Sequence, residues 1–597
     1  MIFSGASPPE TVSNIEQQNR IIDIRSSVPY FIFCNQLFNG DPMSNILRQQ
    51  RGAISMKRSD PGGFWLLLIG LLVLAPSIWL ESSLTGGDEH RVSFRTALET
   101  QQADQWLVPT YESEPRLRKP PLFYWVLTAT SEIFGPSLFH LRFWGVLCGA
   151  LLAVFTARWG FRQFSADPVL TFVIVISCLG MATESRRAML DIPMTLFLLL
   201  SLERWSQSLK KGHGRDAIVA GVYLAIAALI KPPALYFAAT GMLTMAVLQT
   251  RESGVSLAMK RIAGFVLFLT SFSILFLPWW AYVQSAYPEL LQERLAEQVN
   301  RREFSLFHPE SVPSLLGGWL GLAAPWSLAL IFAVFKFLRR PQEGSPYPER
   351  WLVVWLLIST IPFLFMKTFE RYLIPLLPAF AILISTYLDS LDRRILKQHL
   401  LVAATITAIP ALFVGAFVGW FAMPMLTVLT VLILLILWRF SAQGDAVNSA
   451  LSTALCWSFC LGILLPTIGI GEGPPLSAEI RSSPIYQVGE RHLPMLDVHV
   501  GRPIPDLSND QKSLSQLPEE TCYLIIAEAD LAGLKQHLTQ LSREYEILQR
   551  FGVFRSRKIF TRFSRSDATE EDWQNAFASR SLEGLKKPCM VIEVKPL

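Results

Sequence analysis

From Phe64 to Ile470 the chain is a succession of apolar stretches broken by short polar ones. The apolar stretches predict about thirteen helices, most of them long enough to cross a bilayer. They run over 64–80, 141–160, 168–183, 189–203, 216–230, 233–249, 261–283, 313–337, 351–367, 372–388, 399–421, 423–440 and 451–471. Between the first two, the pattern changes. Arg91, Val92, Phe94, Arg95 and Leu98 predict a short amphipathic helix, and Leu122–Phe134 is apolar but too short to span. Segment 81–140 is therefore expected to lie along the outer membrane surface. A polar segment, 284–312, carries a further helical pattern at Glu289–Arg302.

After 471 the pattern shortens. Thr521–Ala527 reads as a strand, Ala529–Arg543 as a helix, and Glu546–Phe554 and Lys558–Phe563 as further strands. Residues 472–597 are thus expected to form a small α/β domain. Residues 1–58 are polar and irregular, and read as a disordered or cytoplasmic extension. Met56-Lys57-Arg58 directly before the first span has the look of a start. The fold class expected is an all-α polytopic membrane protein with a C-terminal α/β domain.

Charge sets the sidedness. The chain is 51% hydrophobic, 17% charged and carries a net charge of +5. Arg51, Lys57 and Arg58 flank the first span on its N-terminal side, which puts that end in the cytoplasm. Every second connection is then internal, and each is basic. They hold Arg158/Arg162, Arg204/Lys210/Lys211/Arg215, Arg251/Lys260/Arg261, Lys336/Arg339/Arg340/Arg350, Arg393/Arg394/Lys397 and Arg439. An odd number of spans places residues 472–597 outside. There Cys522 and Cys589 would be able to pair in an oxidising compartment, whereas Cys456 and Cys460 read as packing residues. Nothing in the basic balance suggests nucleic acid.

The candidate chemistry collects on the outer side. Asp88 and Glu89 follow the first span, and Asp191 opens the helix at 189–203 beside Arg186 and Arg187. Each carboxylate has a plain alternative, a loop turn for Asp88-Glu89 and a helix N-cap for Asp191. Lys119, Lys231, Arg301, Arg302 and Arg371 also fall at outer helix ends. So many external cations run against positive-inside bias unless an anion holds them, and a lipid phosphate is the economical candidate.

The order of these motifs resembles a known family. The run DEHRVSFRTALE (88–99), DQWLVP (104–109), KPPLFYW (119–125), AMLDIPM (188–194), LIKPP (229–233) and ERYLIPLLPA (370–379) look like the bacterial aminoarabinose transferases and protein O-mannosyltransferases. These are GT-C glycosyltransferases with a polyprenyl-phosphate sugar donor. The resemblance implies an integral enzyme of the inner membrane acting on an extracytoplasmic glycolipid or protein acceptor. Asp88, Glu89 and Asp191 are then the catalytic carboxylates. Lys119, with Lys231, Arg186, Arg301, Arg302, Arg371 and Tyr372, is implied in substrate binding. No cofactor is required, and a divalent metal is left open. The competing class is a transporter or lipid flippase, which would carry ionisable residues deep inside its spans.

The chain departs from the family pattern at three points. Arg118 stands where an acidic residue usually precedes Lys-Pro-Pro, Lys231-Pro232-Pro233 replaces Lys-Gly-Pro, and Glu297-Gln298 replaces a Glu-His pair. These departures bear on the sugar rather than on the reaction class.

Overall fold

The computed structural model describes residues 62–81, 89–249, 255–339, 348–554 and 563–596. Asp88 and residues 1–58 lie outside the described residues, as does most of the strand expected at Lys558–Phe563. Six helices are long and apolar enough to cross a membrane: Leu138–Phe164, Met259–Ala286, Glu370–Asp389, Arg393–Phe421, Pro424–Gln443 and Ala446–Ile468. Shorter apolar helices lie at Gly63–Leu74, Leu122–Phe134, Pro168–Ser177 and Pro233–Val247.

Two of the expected continuous spans are broken, and their breaks meet. The 168–183 helix stops at Cys178, whose backbone is extended (φ −66°, ψ 131°), and restarts at Leu179. The 313–337 helix is interrupted between Gly317 and Trp326 before resuming at Ser327. Leu179 N donates to Ala324 O at 2.8 Å and Gly180 N to Leu322 O at 3.1 Å. Each break thereby supplies backbone partners to the other, as apolar surroundings require. The spans expected at 351–367 and 372–388 likewise end and begin in 3₁₀ turns, Ile361–Phe365 and Glu370–Leu376.

The segment after the first span is built as the amphipathic pattern suggested, with a π turn at Glu89–Phe94 running into a helix at Arg95–Ala103. A two-stranded hairpin follows, β1 (Thr110–Tyr111) against β2 (Glu114–Pro115). The helix holds the hairpin directly. Thr110 N donates to Thr100 Oγ1 and Ser113 N to Glu99 Oε2, both at 3.1 Å. The helix at Leu122–Phe134 packs on the same element through Thr128 Oγ1 to Ala97 O and Ser131 Oγ to Gln101 Oε1.

The C-terminal domain contains a five-stranded mixed sheet in the order β4-β3-β5-β7-β6. Its strands are β3 (Ile485–Val488), β4 (Asp506–Leu507), β5 (Cys522–Ala527), β6 (Arg543–Val553) and β7 (Lys587–Pro596). β3 runs parallel to β4 and β5, while β7 lies antiparallel between β5 and β6. Leu534 and Leu538 of the helix Leu531–Gln540 cover one face over Leu524, Ile526, Met590 and Ile592. Register excludes the expected disulfide. Cys522 opposes Val594 while Cys589 opposes Ala527, so the two thiols sit at opposite ends of the β5–β7 ladder. Five rungs are about 17 Å, far beyond disulfide reach, and both are free thiols. The domain meets the membrane domain beside the first span, where His499 pairs with Glu81 and Arg95 approaches Asp506 at 3.8 Å.

Gly145 fixes how closely the long helix Leu138–Phe164 approaches the turn that leads to Asp191. A Cβ there would lie 2.4 Å from Arg187 O and 2.6 Å from Ser185 O, against backbone that cannot yield cheaply. Gly145→Ala is expected to cost about 1–3 kcal/mol through overpacking. A clear drop in melting temperature of the purified protein is the expected result, and an unchanged one would count against this packing.

Candidate active site

Glu89 is wholly buried, and both of its carboxylate oxygens are engaged. Arg142 meets it in a forked pair, Nε to Oε1 and Nη2 to Oε2, each at 2.9 Å. Oε1 also accepts Ala188 N at 2.9 Å. The Arg142 Nη1 donates to Ile78 O at 3.1 Å and Leu80 O at 2.8 Å, at the end of the first apolar helix. One ion pair thus ties together the end of the first span, the π turn, the helix Leu138–Phe164 and the turn before Asp191. Glu89 was expected to be catalytic; the structure places its carboxylate at 0% exposure with Arg142 and Ala188 N as partners, which gives it an anchoring part in the frame of the site.

Asp191 does not cap its helix. No side-chain cap bond forms at that terminus, and the carboxylate instead accepts Lys231 Nζ at 2.5 Å. Lys231 closes the helix Gly214–Ile230, and Pro232-Pro233 turn the chain into the next helix. The Lys231 ammonium also lies 5.8 Å from the Tyr372 ring centre, and the Arg302 guanidinium lies 5.1 Å from the same ring. Lys119 joins this group. Burial, then the charges of Lys231 and Arg302, push its ammonium down to about 7, with only Asp191 opposing among the principal neighbours. Arg116 adds a further positive charge nearby. Lys119, Lys231 and Arg302 thus act on one another, and among the described residues Asp191, already engaged by Lys231, is the carboxylate that answers them.

The local sequence explains how Lys119 is held. Pro120 and Pro121 restrict the backbone after it, and Trp125 N closes the following turn onto Pro121 O at 2.9 Å. Ahead of it the β1–β2 hairpin is fixed by the helix Arg95–Ala103. Arg116 was not among the expected residues. It is buried, and its guanidinium lies 5.1 Å from both the Tyr111 and Tyr124 ring centres. The signal for it was the density of cations, Arg116, Arg118 and Lys119 within four positions.

Other expected residues do not join the cluster. Arg301 is exposed and pairs with Glu297, and Arg371 lies over Phe369. Arg186 is 1% exposed, donates through Nη1 to Pro76 O, and keeps Nε and Nη2 without a partner among the described residues. Among the described residues no group of three or more His, Cys, Asp or Glu is placed to hold a metal ion.

The segment that holds Lys119, Asp191 and Lys231 is also matched by a known family. Residues 102–292 match the model of a family described as dolichyl-phosphate-mannose-protein mannosyltransferase, PMT. The chain is 26% identical over 353 residues to an uncharacterised protein of Aquifex aeolicus, covering 56% of this chain and 66% of that one. It is 25% identical over 305 residues to the undecaprenyl phosphate-alpha-4-amino-4-deoxy-L-arabinose arabinosyl transferase of Yersinia pestis. That match covers 48% of this chain and 52% of the relative, so the chain spans about half of that relative's length. Its fold is that of ArnT from Cupriavidus metallidurans, solved bound to undecaprenyl phosphate. The TM-score is 0.62 at 15% identity, over 89% of this chain and 98% of that one. The fold is therefore ArnT-like, and with six helices long and apolar enough to cross a membrane the protein is a multi-pass membrane protein.

Removing the Glu89 charge should leave Arg142 as an uncompensated buried cation. Glu89→Gln is expected to cost roughly 3–5 kcal/mol of stability. The checks are thermal unfolding and the yield of folded protein from membranes, and a variant as stable as the parent would contradict the anchoring role.

Proposed function

We propose that this chain is a membrane glycosyltransferase that moves a sugar from a polyprenyl-phosphate donor to a glycolipid or protein acceptor, inverting the anomeric centre. The observation that carries this reading is the convergence of Lys119, Lys231 and Arg302 beside Asp191 and Tyr372. Among the described residues three cations face one engaged carboxylate, an excess of positive charge that a phosphate would neutralise. The match of residues 102–292 to the PMT family and the ArnT-like fold support the same reading, as do the activity for which the Yersinia relative is named and the undecaprenyl phosphate bound to the Cupriavidus protein. We place the site on the extracytoplasmic face of the inner membrane, in a chain of about thirteen spans, because the basic connections all fall on the opposite side.

In the proposed step the acceptor hydroxyl oxygen attacks the anomeric carbon as the bond from that carbon to the phosphate oxygen breaks. The electron pair leaves with the polyprenyl phosphate, and the growing charge is met by Lys119, Lys231 and Arg302. Preorganised groups of this kind are usually the largest catalytic contribution. The acceptor proton passes to Asp88, the residue directly before the anchored Glu89. Such base assistance is worth about 10²–10⁴-fold. With a phosphate as acceptor, Asp88 would orient rather than deprotonate. Asp191 holds Lys231 in place and limits repulsion among the cations in the empty site. The placement of these charges at helix ends, rather than along a span, disfavours a transporter or flippase.

Two outcomes test this. Asp88→Asn should lose transfer of a labelled sugar from polyprenyl phosphate by about 10²-fold or more, with insertion and donor binding retained; wild-type turnover would remove Asp88 from the mechanism. Donor affinity should also depend on pH with a definite sign. The Lys119 ammonium is held at about 7, and a bound phosphate would raise it by opposite charge. Binding above pH 7 therefore takes up a proton, and affinity should fall by up to about tenfold per pH unit above that point. Titrations at pH 6, 7, 8 and 9 check this, and Lys119→Arg should flatten the profile.

A further inference from the structure

Two departures from the family pattern meet in space. Arg118, where an acidic residue was expected, donates Nε to Glu297 Oε2 at 3.2 Å and Nη2 to both Glu297 oxygens at 2.6 Å. The neighbouring Gln298 Nε2 donates to Arg118 O at 2.9 Å. Helix Pro288–Asn300 is thus pinned by side chain and backbone to the residue immediately before Lys119. The same helix runs into Arg302 within five residues of Glu297. Arg301 N closes on Glu297 O at 2.9 Å and Arg302 N on Val299 O at 3.0 Å, so the turn between them is continuous. A second strap joins the helix to the hairpin, Arg294 Nη2 to Glu114 Oε2 at 2.7 Å. On its far side Arg302 is tied to the 366–372 segment by Lys367 N to Arg302 O at 2.8 Å and by Glu303 to Lys367 at 2.7 Å.

We propose that Arg118–Glu297 is a positioning pair that sets the separation of Lys119 and Arg302, and hence the shape of the phosphate seat. The inference rests on the reading of that seat given above. Lys119 and Arg302 repel each other when no anion is bound, so a mechanical tie is needed to hold both in the site. Arg118 is adjacent to one and Glu297 lies one helical turn from the other. The fork geometry of a guanidinium on a carboxylate fixes direction as well as distance. The pair itself is about one-third exposed on each side, where an ion pair contributes little to global stability. Its effect should therefore appear in ligand binding and not in folding. Neither residue is placed to touch the reacting atoms.

The test is a double-mutant cycle on the purified full-length protein with fluorescent undecaprenyl phosphate as the probe. Arg118→Gln and Glu297→Gln should each weaken binding by roughly tenfold, the range of coupled neighbours, and the double variant should lose no more than either alone. Melting temperatures should stay close to the parent in all three, with the Arg294–Glu114 strap still holding the helix. Parent-like affinity in the single variants, or losses that multiply in the double, would overturn the positioning role. Lys119→Ala separates this from the reading beneath it. Loss of probe binding in Lys119→Ala with none in Arg118→Gln rejects only the bridge, whereas parent-like binding in Lys119→Ala rejects the phosphate seat itself.

Discussion

The site depends on one buried ion pair, Glu89 with Arg142. Burying two charges costs several kcal/mol per ion unless geometry is close to ideal and the remaining donors and acceptors are satisfied. Here the fork is closed by two bonds of 2.9 Å, the spare carboxylate capacity takes Ala188 N, and the spare guanidinium donors take Ile78 O and Leu80 O. Four separate pieces of chain therefore share one point of reference. Asp191 follows Ala188 by three residues, so the position of the Asp191–Lys231 pair is inherited from this anchor.

A second constraint acts against the first. The anchor draws elements together, while Lys119, Lys231, Arg302 and Arg116 push apart. Asp191 offsets one of these charges. The downward shift of Lys119 shows the imbalance that is left, since burial and like charge both disfavour its ammonium. Aromatic rings share the load. Tyr372 faces two of the cations and the Tyr111–Tyr124 pair holds Arg116, giving attraction without introducing a competing negative charge. A carboxylate in any of those places would have filled the role of substrate phosphate.

Much of this was legible in the sequence because helix ends carry the site. Span counting and the basic inner connections put Lys119, Lys231, Arg302, Asp191 and Tyr372 on one side, and these five do come together. The burial of Glu89 against Arg142 was not legible, for a physical reason. Its partner is 53 residues away inside an apolar helix, and no local pattern distinguishes an acidic group that meets substrate from one that meets a buried arginine. Arg142 itself was the available clue, an arginine in the run LFHLRFWG, where a charge needs a partner. The helix break at Cys178 was hidden because its partners lie at 322–324, far along the chain, whereas the break at Gly317–Trp326 did carry a signal in Gly317, Gly318, Gly321 and Pro325. In the C-terminal domain the central strand CYLIIA was plain, while β7, KPCMVIEVKP, is recognisable only as the strand that pairs with both β5 and β6.

The reversal at Arg118 bears on how such a site tolerates change. Placing an arginine beside Lys119 adds like charge exactly where the seat is already overloaded, and on its own this would weaken the hold on Lys119. Glu297 removes that difficulty by taking the guanidinium away from the seat, on a helix that also carries Arg294 and Arg301 against the same carboxylate. The added cation becomes part of the frame rather than part of the pocket. Charge at position 118 is therefore not read by the phosphate directly. In the proposed seat the phosphate would meet Lys119 and Arg302, whose separation the Arg118–Glu297 pair holds from outside.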